Sequence, residues 1–187
     1  MGKFYWHLSK AYLPKLNKLK RKMYKTQLSA KVITLYPELF PGPLSASVTG
    51  RALENKLWSL ETIDLKKYGK GRHKKVDDKP ISGGPGMILM PDVLDEAVIK
   101  AKSLINSKNK LIVCMSPKGI PLSQNLVKNM LQYNEIIIVC GRFEGIDQRV
   151  IEKHKMKEIS IGDFILTGGE LGACLLYTSP SPRDVHL

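Results

Sequence analysis

A chain of 187 residues that is 43% hydrophobic has apolar material for one ordinary core, so a single main fold with unmatched ends is expected rather than two full domains. Thirty Lys and Arg against 17 Asp and Glu leave a formal charge of +13. That excess concentrates polyanions near the surface and suits nucleic acid better than acidic metabolites, without separating RNA from DNA. No apolar run approaches the roughly 18 residues of a membrane span, and Cys114, Cys140 and Cys174 are too far apart for a Cys-x-x-Cys metal site or a disulfide framework, so a reducing, cytoplasmic setting is expected.

Residues 1–31 carry nine basic residues, no acidic one and the aromatics Phe4, Tyr5, Trp6, Tyr12 and Tyr24. Cations for phosphates and rings for bases would make an RNA-binding arm, and an organelle transit peptide has a similar composition. The preferred reading is an unstructured or mis-started extension, with Met23 as the nearer true start. From Val32 the texture changes: Val32–Tyr36 is β-branched and apolar and is stopped by Pro37, which predicts a buried strand. Polar, glycine-rich sequence from Tyr68 to Gly86 predicts a long loop. Pro91 then opens a run with Leu94, Ala97, Val98, Ala101 and Leu104 at helical spacing.

The pattern then repeats, each strand being followed by a glycine loop: strand Leu111–Met115 with helix Gln124–Leu131, strand Glu135–Cys140 with helix Ile146–Lys153, and a short strand Glu158–Ile161. Alternation of this kind predicts an α/β fold with a parallel sheet, helices on both faces and ligands beyond the carboxyl ends of the strands. The main domain is expected over residues 32–173. Residues 174–187, which contain Ser179-Pro180-Ser181-Pro182, continue no apolar period and are expected to be a foreign or disordered tail.

The three glycine loops are Ser116-Pro117-Lys118-Gly119, Gly141-Arg142-Phe143-Glu144-Gly145 and Ile161-Gly162-Asp163-Phe164-Ile165-Leu166-Thr167-Gly168-Gly169-Glu170. A backbone without Cβ atoms lies close against a flat ligand, so converging loops suit an adenosine-bearing cofactor, whereas any one alone merely turns the chain after a strand. None is a Gly-x-Gly-x-x-Gly or a Gly-x-x-x-x-Gly-Lys-Ser/Thr loop, which argues against a dinucleotide or a nucleoside triphosphate. The stretch Arg72–Lys79 mixes cations and carboxylates and suits nucleotide recognition, or an ordinary solvated surface. His73 with Asp77 and Asp78 supplies only one imidazole, so no metal site is expected. Glu144, Asp147, Asp163 and Glu170 remain as acids without an assigned pairing, Arg142 beside Glu144 reads as an ion pair, and Asp163 reads as a turn cap.

Taken in order, these residues resemble the knotted, S-adenosylmethionine-dependent tRNA (guanine-37-N1) methyltransferases over about Val32 to Leu171. The resemblance runs through Leu35-Tyr36-Pro37-Glu38-Leu39-Phe40, Val48-Thr49-Gly50-Arg51-Ala52, Arg72-His73 to Asp78, Gly83-Gly84-Pro85-Gly86-Met87, Ser116 to Gly119, Cys140 to Val150 and Ser160 to Leu171. It implies a SPOUT-like carboxyl-terminal trefoil knot, a homodimer and tRNA as substrate. It implies cofactor contacts at Pro117, Gly119, Gly141, Glu144, Gly145, Ile161, Gly162, Asp163, Phe164, Ile165, Leu166, Gly168 and Gly169, and tRNA or dimer contacts at Arg51, His73, Asp77 and Asp78. Guanine N1 carries a proton, so the reaction needs a base. The family's aspartate base, its assisting arginine and its tRNA-gripping domain find no counterpart, because the matching sequence stops near Leu171. The catalytic group is therefore unassigned, with Glu144 the candidate to contribute and magnesium expected only during catalysis, and turnover is expected to be weak or absent. Cys114 in place of tyrosine, Ile81-Ser82 in place of Tyr-Gly and Gly172 in place of proline depart from the family pattern. The alternatives are a catalytically silent RNA-binding module and a knotted methyltransferase acting on another RNA.

Overall fold

Period-two alternation in the apolar strands decides the architecture, because successive side chains on a strand face opposite sides of a sheet. The computed structural model describes residues 28–80, 83–105, 107 and 109–179. Most of the expected basic extension, through residue 27, and the last eight residues of the expected tail lie outside the described residues. The elements are β1 (Leu28–Thr34), α1 (Ser47–Glu54), β2 (Trp58–Asp64), β3 (Asp77–Asp78), β4 (Ile88–Leu89), α2 (Pro91–Ser103), β5 (Lys110–Pro121), α3 (Gln124–Met130), β6 (Glu135–Cys140), α4 (Gln148–His154), β7 (Lys157–Ser160) and α5 (Glu170–Tyr177). Five strands form one sheet in the order β2-β1-β6-β5-β7, every pairing parallel.

Ile33, Ile112, Cys114, Ile137 and Val139 bury one face of that sheet with Val93, Leu94, Ala97, Val98 and Ala101 of α2 and Val150 and Ile151 of α4. Their chain neighbours Val32, Val113, Met115, Ile136, Ile138 and Cys140 bury the other face with Leu126 and Met130 of α3 and Ala173, Leu176 and Tyr177 of α5. Helices thus cover both faces, as expected of an all-parallel sheet. Pro91 occupies the first turn of α2 and Asp147 caps α4 by accepting the Arg149 N–H, each a position where the residue suits a helix start.

Several boundaries move. β1 starts at Leu28, four residues before the expected domain edge at Val32, because Leu28–Thr34 pairs in register with Trp58–Asp64. The lysine that made this stretch look like a basic arm, Lys31, is buried at 6% exposure and paired with Glu61 at 2.8 Å. β5 continues through the first glycine loop, where Ile120 and Pro121 pair with Ile159 and Ser160 after a break in register at Met115. α5 crosses the expected boundary at Ala173. Leu176 and Tyr177 pack in the core beside Trp58 and Phe40, with the Tyr177 and Trp58 rings stacked 5.3 Å apart, so the first residues of the expected tail, read as continuing no apolar period, instead complete a short packed helix. Strand β2, helix α1 and the antiparallel pairing of β3, inside the expected loop, with β4, just after it, were not predicted from sequence.

The outer faces of α2 and α4 are joined through His154. Its Nε2 lies 2.7 Å from Asp95 Oδ1 and its Nδ1 lies 2.7 Å from Lys102 Nζ, while Lys153 pairs with Asp95 at 2.8 Å. An ammonium only donates, so Nδ1 accepts from Lys102 and a neutral ring donates from Nε2 to Asp95. Burial pushes the His154 imidazole below its usual range; the Asp95 hydrogen bond opposes this and the Lys102 charge reinforces it.

Two outcomes test these packing arguments. Replacing Tyr177, 4% exposed, by Ala is expected to cost about 3–5 kcal/mol in urea unfolding. A group whose folded pKa is depressed below its unfolded value contributes stability above that value and loses it as pH falls. The wild-type unfolding midpoint is therefore expected to drop from about pH 7.5 to about pH 5.5, and His154→Gln is expected to flatten that slope in thermal scans.

Candidate functional site

Because β6 lies between β1 and β5, the chain leaving β5 goes to one face of the sheet through α3 and the chain leaving β6 goes to the other through α4. Crossovers that diverge in this way open a crevice at the carboxyl ends of the strands. There the molecule has a cavity of about 340 Å³, within the size range of small-molecule sites. Its walls are residues 114–118 at the turn of β5, residues 141–146 with Gln148 and Ile151 after β6, and residues 158–161, 164–169 and 172 from β7 into α5.

The three glycine loops therefore converge. Pro117, Gly141, Glu144, Gly145, Ile161, Phe164, Ile165, Leu166, Gly168 and Gly169 line the cavity, whereas Gly119, Gly162 and Asp163 do not. Gly119 answers to strand pairing instead: a Cβ there would strike the backbone of Glu158 and Ile159. At Gly162 a Cβ would press on the Phe164 ring, and Asp163 is exposed. The walls also use residues that motif reading passed over as site residues, among them Met115, Ile146, Ile151 and Glu158. Met115 is the last buried residue of β5 before its break in register and Ile159 is buried near the end of β7, so strand alternation carried to the carboxyl ends would have found them.

Cys114, buried in the wall, is pushed up to about 12, first by burial and then by the Glu158 charge. It is a neutral apolar surface rather than a nucleophile. Arg142 does not pair with Glu144. Its guanidinium makes a forked contact with Glu170, Nε to Oε1 at 3.2 Å and Nη2 to Oε2 at 3.0 Å, and Nη1 donates to the Thr167 carbonyl at 3.0 Å. Glu144 is left exposed at the mouth, its backbone N–H donating to the Met87 carbonyl at 2.9 Å.

That bond, with the Leu89 N–H donating to the Gly145 carbonyl at 3.3 Å, stitches the second glycine loop to the segment carrying His73, Asp77 and Asp78. His73 and Asp78 are exposed, Asp77 is half-buried in β3, and Asp78 pairs with Lys75 at 2.9 Å. Arg51 lies exposed on α1. None of these four lines the cavity. Among the described residues no three His, Cys, Asp or Glu side chains converge on a point that could hold a metal ion.

The loop closes onto β6 at Gly169, whose N–H donates to the Gly141 carbonyl at 3.0 Å. A Cβ at Gly169 would sit 2.9 Å from both Cys140 Cα and Met115 Cβ, atoms held by the sheet. Gly169→Ala is expected to destabilise the protein by about 1–3 kcal/mol through overpacking, read from the urea midpoint.

The family model described as "tRNA (Guanine-1)-methyltransferase TrmD" matches residues 28–181, a span that begins with β1 and continues past Leu171. The chain is similar to three proteins named tRNA (guanine-N(1)-)-methyltransferase. That of Agrobacterium fabrum is 52% identical over 147 residues, covering 79% of this chain and 62% of the relative. That of Ehrlichia canis is 47% identical over 149 residues, covering 80% and 62%, and that of Ruegeria pomeroyi is 46% identical over 144 residues, covering 77% and 59%. The chain spans about 60% of the length of the curated relatives it matches. With a family model matched from the first residue of β1 to beyond α5, the chain belongs to the tRNA (guanine-1)-methyltransferase TrmD family.

Proposed function

We propose that this chain forms the S-adenosylmethionine-binding portion of an enzyme that methylates N1 of guanosine 37 in tRNA. The observation that carries the reading is the convergence of three glycine loops on one cavity at the carboxyl ends of β5, β6 and β7, in a chain whose relatives are named for guanine-N1 methylation of tRNA. The donor set fits such a cofactor. Backbone segments at Gly141, Gly145 and Gly168 approach without side chains, and Met115, Ile146, Ile161 and Leu166 offer apolar walls for a flat ring. When bound, S-adenosylmethionine supplies a methyl group on a sulfonium sulfur.

The chain's own contribution is placement and exclusion of water. Glu144, the exposed acid at the mouth, is assigned to the guanine edge, where the N1 proton must be removed. Exposed cations along Lys66–Lys79, including Arg72, Lys74 and Lys75, suit the phosphates of tRNA, and β4, paired with β3 and bonded through Met87 and Leu89 to the second glycine loop, links that segment to the mouth. The apolar groups around the rim, Phe164, Ile165 at 85% exposure, Leu171 and Leu175, suit a second copy of the chain, in keeping with a homodimer. A carboxyl-terminal trefoil knot belongs to the same reading, as does a cytoplasmic setting.

Calorimetric titration of the folded chain with S-adenosylhomocysteine tests the pocket, with saturation expected at about micromolar concentration. Gly141→Val is expected to abolish the heat without unfolding the protein. A Cβ there meets nothing closer than the Met115 carbonyl at 3.4 Å, so the added bulk goes into the cavity. Binding of tRNA by a folded chain that gives no heat with the nucleoside would favour the silent RNA-binding module instead.

A further inference from the structure

Among the described residues Glu170 is the only buried carboxylate, 4% exposed, and it does not line the cavity. A carboxylate held out of water is unfavourable unless its oxygens are fully engaged, so its partners identify its role. Oε1 accepts from Thr34 Oγ1 at 2.9 Å and from Arg142 Nε at 3.2 Å, and Oε2 faces Arg142 Nη2 at 3.0 Å. Thr34 Oγ1 in turn accepts the Tyr36 backbone N–H at 3.0 Å, and the Tyr36 ring lies beneath the guanidinium, 4.5 Å from Cζ to centroid. The remaining contact of Arg142 is the Thr167 carbonyl at 3.0 Å. Three segments distant in sequence meet here: the end of β1, the loop after β6, and the loop after β7 where it enters α5. Gly168 passes so close that a Cβ would strike both Arg142 and Glu170, so its glycine answers to this ion pair as well as to the cavity it lines.

The geometry points to Glu170 as a positioning residue of the pocket. It fixes the plane of the Arg142 guanidinium, which holds the Thr167 carbonyl and so sets the height of the Phe164–Gly168 rim over the cavity. A forked pair specifies orientation as well as charge, and the Thr34 hydroxyl locks the carboxylate in the rotation that presents both oxygens. Glu170 reaches no ligand itself; its effect passes through Arg142. The role in ligand binding rests on the reading of the cavity as a nucleoside-cofactor site, whereas the clamp on the rim does not.

The test uses the full chain with Glu170→Gln, Thr34→Val and Thr34→Ser. Three readouts are followed: S-adenosylhomocysteine affinity by calorimetry, amide hydrogen exchange of the 164–168 segment and the thermal midpoint. Glu170→Gln is expected to bind about ten-fold more weakly or worse, with faster exchange in the rim while α2 and β6 stay protected. Thr34→Val, which leaves the ion pair in place, is expected to weaken binding by a smaller factor, and Thr34→Ser, which keeps the hydroxyl, to restore it. A folded Glu170→Gln protein that binds within about two-fold of wild type, with unchanged rim exchange, overturns the assignment. Should that variant not fold, the Thr34 pair decides: Val and Ser proteins with equal affinity and equal rim exchange overturn it, and the expected difference supports it. If the wild-type chain takes up no S-adenosylhomocysteine, the cofactor reading fails by itself, and the exchange comparison still decides the clamp.

Discussion

Insertion of β6 between β1 and β5 is the constraint on which the remainder of the molecule depends. Two neighbouring parallel strands whose exits run to opposite faces leave their carboxyl ends uncovered. Here those exits are α3 on one face and α4 on the other. Right-handed crossovers allow few other arrangements, so the cavity is a consequence of strand order before any side chain is considered. Side chains then decide its depth, with Met115 and Ile159 as floor and the 164–169 segment as rim.

Charge enters the interior only where it is answered. Lys31 on β1 is paired with Glu61, and Glu170 at the start of α5 with Arg142. No buried side-chain nitrogen or oxygen among the described residues lacks a hydrogen-bond partner, as the cost of an unpaired polar group requires. The two pairs do different work. Lys31 and Glu61 join neighbouring strands that are already hydrogen-bonded, whereas Arg142 and Glu170 join segments that backbone pairing does not hold together except at Gly169. The second pair lies against the cavity and ties the strand ends to the loop that covers them.

The core strands and α2 were legible because their signals are local. Glu135–Cys140 is a strand with the same limits in sequence and structure, since the four consecutive β-branched residues Ile136–Val139 leave little choice. The errors fall where a partner decides. Leu28–Lys31 joins β1 because Trp58–Glu61 lies beside it, and β5 runs on to Pro121 because β7 is there to receive it. Leu175, Leu176 and Tyr177 were read as continuing no apolar period, yet Leu176 and Tyr177 fill space under Trp58 and Phe40 as part of a helix. Gly119, Gly162 and Asp163 belonged to the right loops and lie outside the cavity, because a motif places a loop at the strand ends without saying which of its residues turn inward.

The alternation of strands and helices from Pro91 to Ser160, the parallel sheet and the gathering of three glycine loops at its carboxyl edge followed from the sequence alone, because hydrophobic periodicity and turn chemistry act over a few residues. Which acid Arg142 meets, and whether a glycine serves a ligand, a strand pairing or an ion pair, was decided only in three dimensions. Adjacent Glu144 was the obvious partner along the chain. Glu170, twenty-eight residues further on, won because burial leaves a carboxylate no water to fall back on, whereas Glu144 at the surface keeps its own hydration.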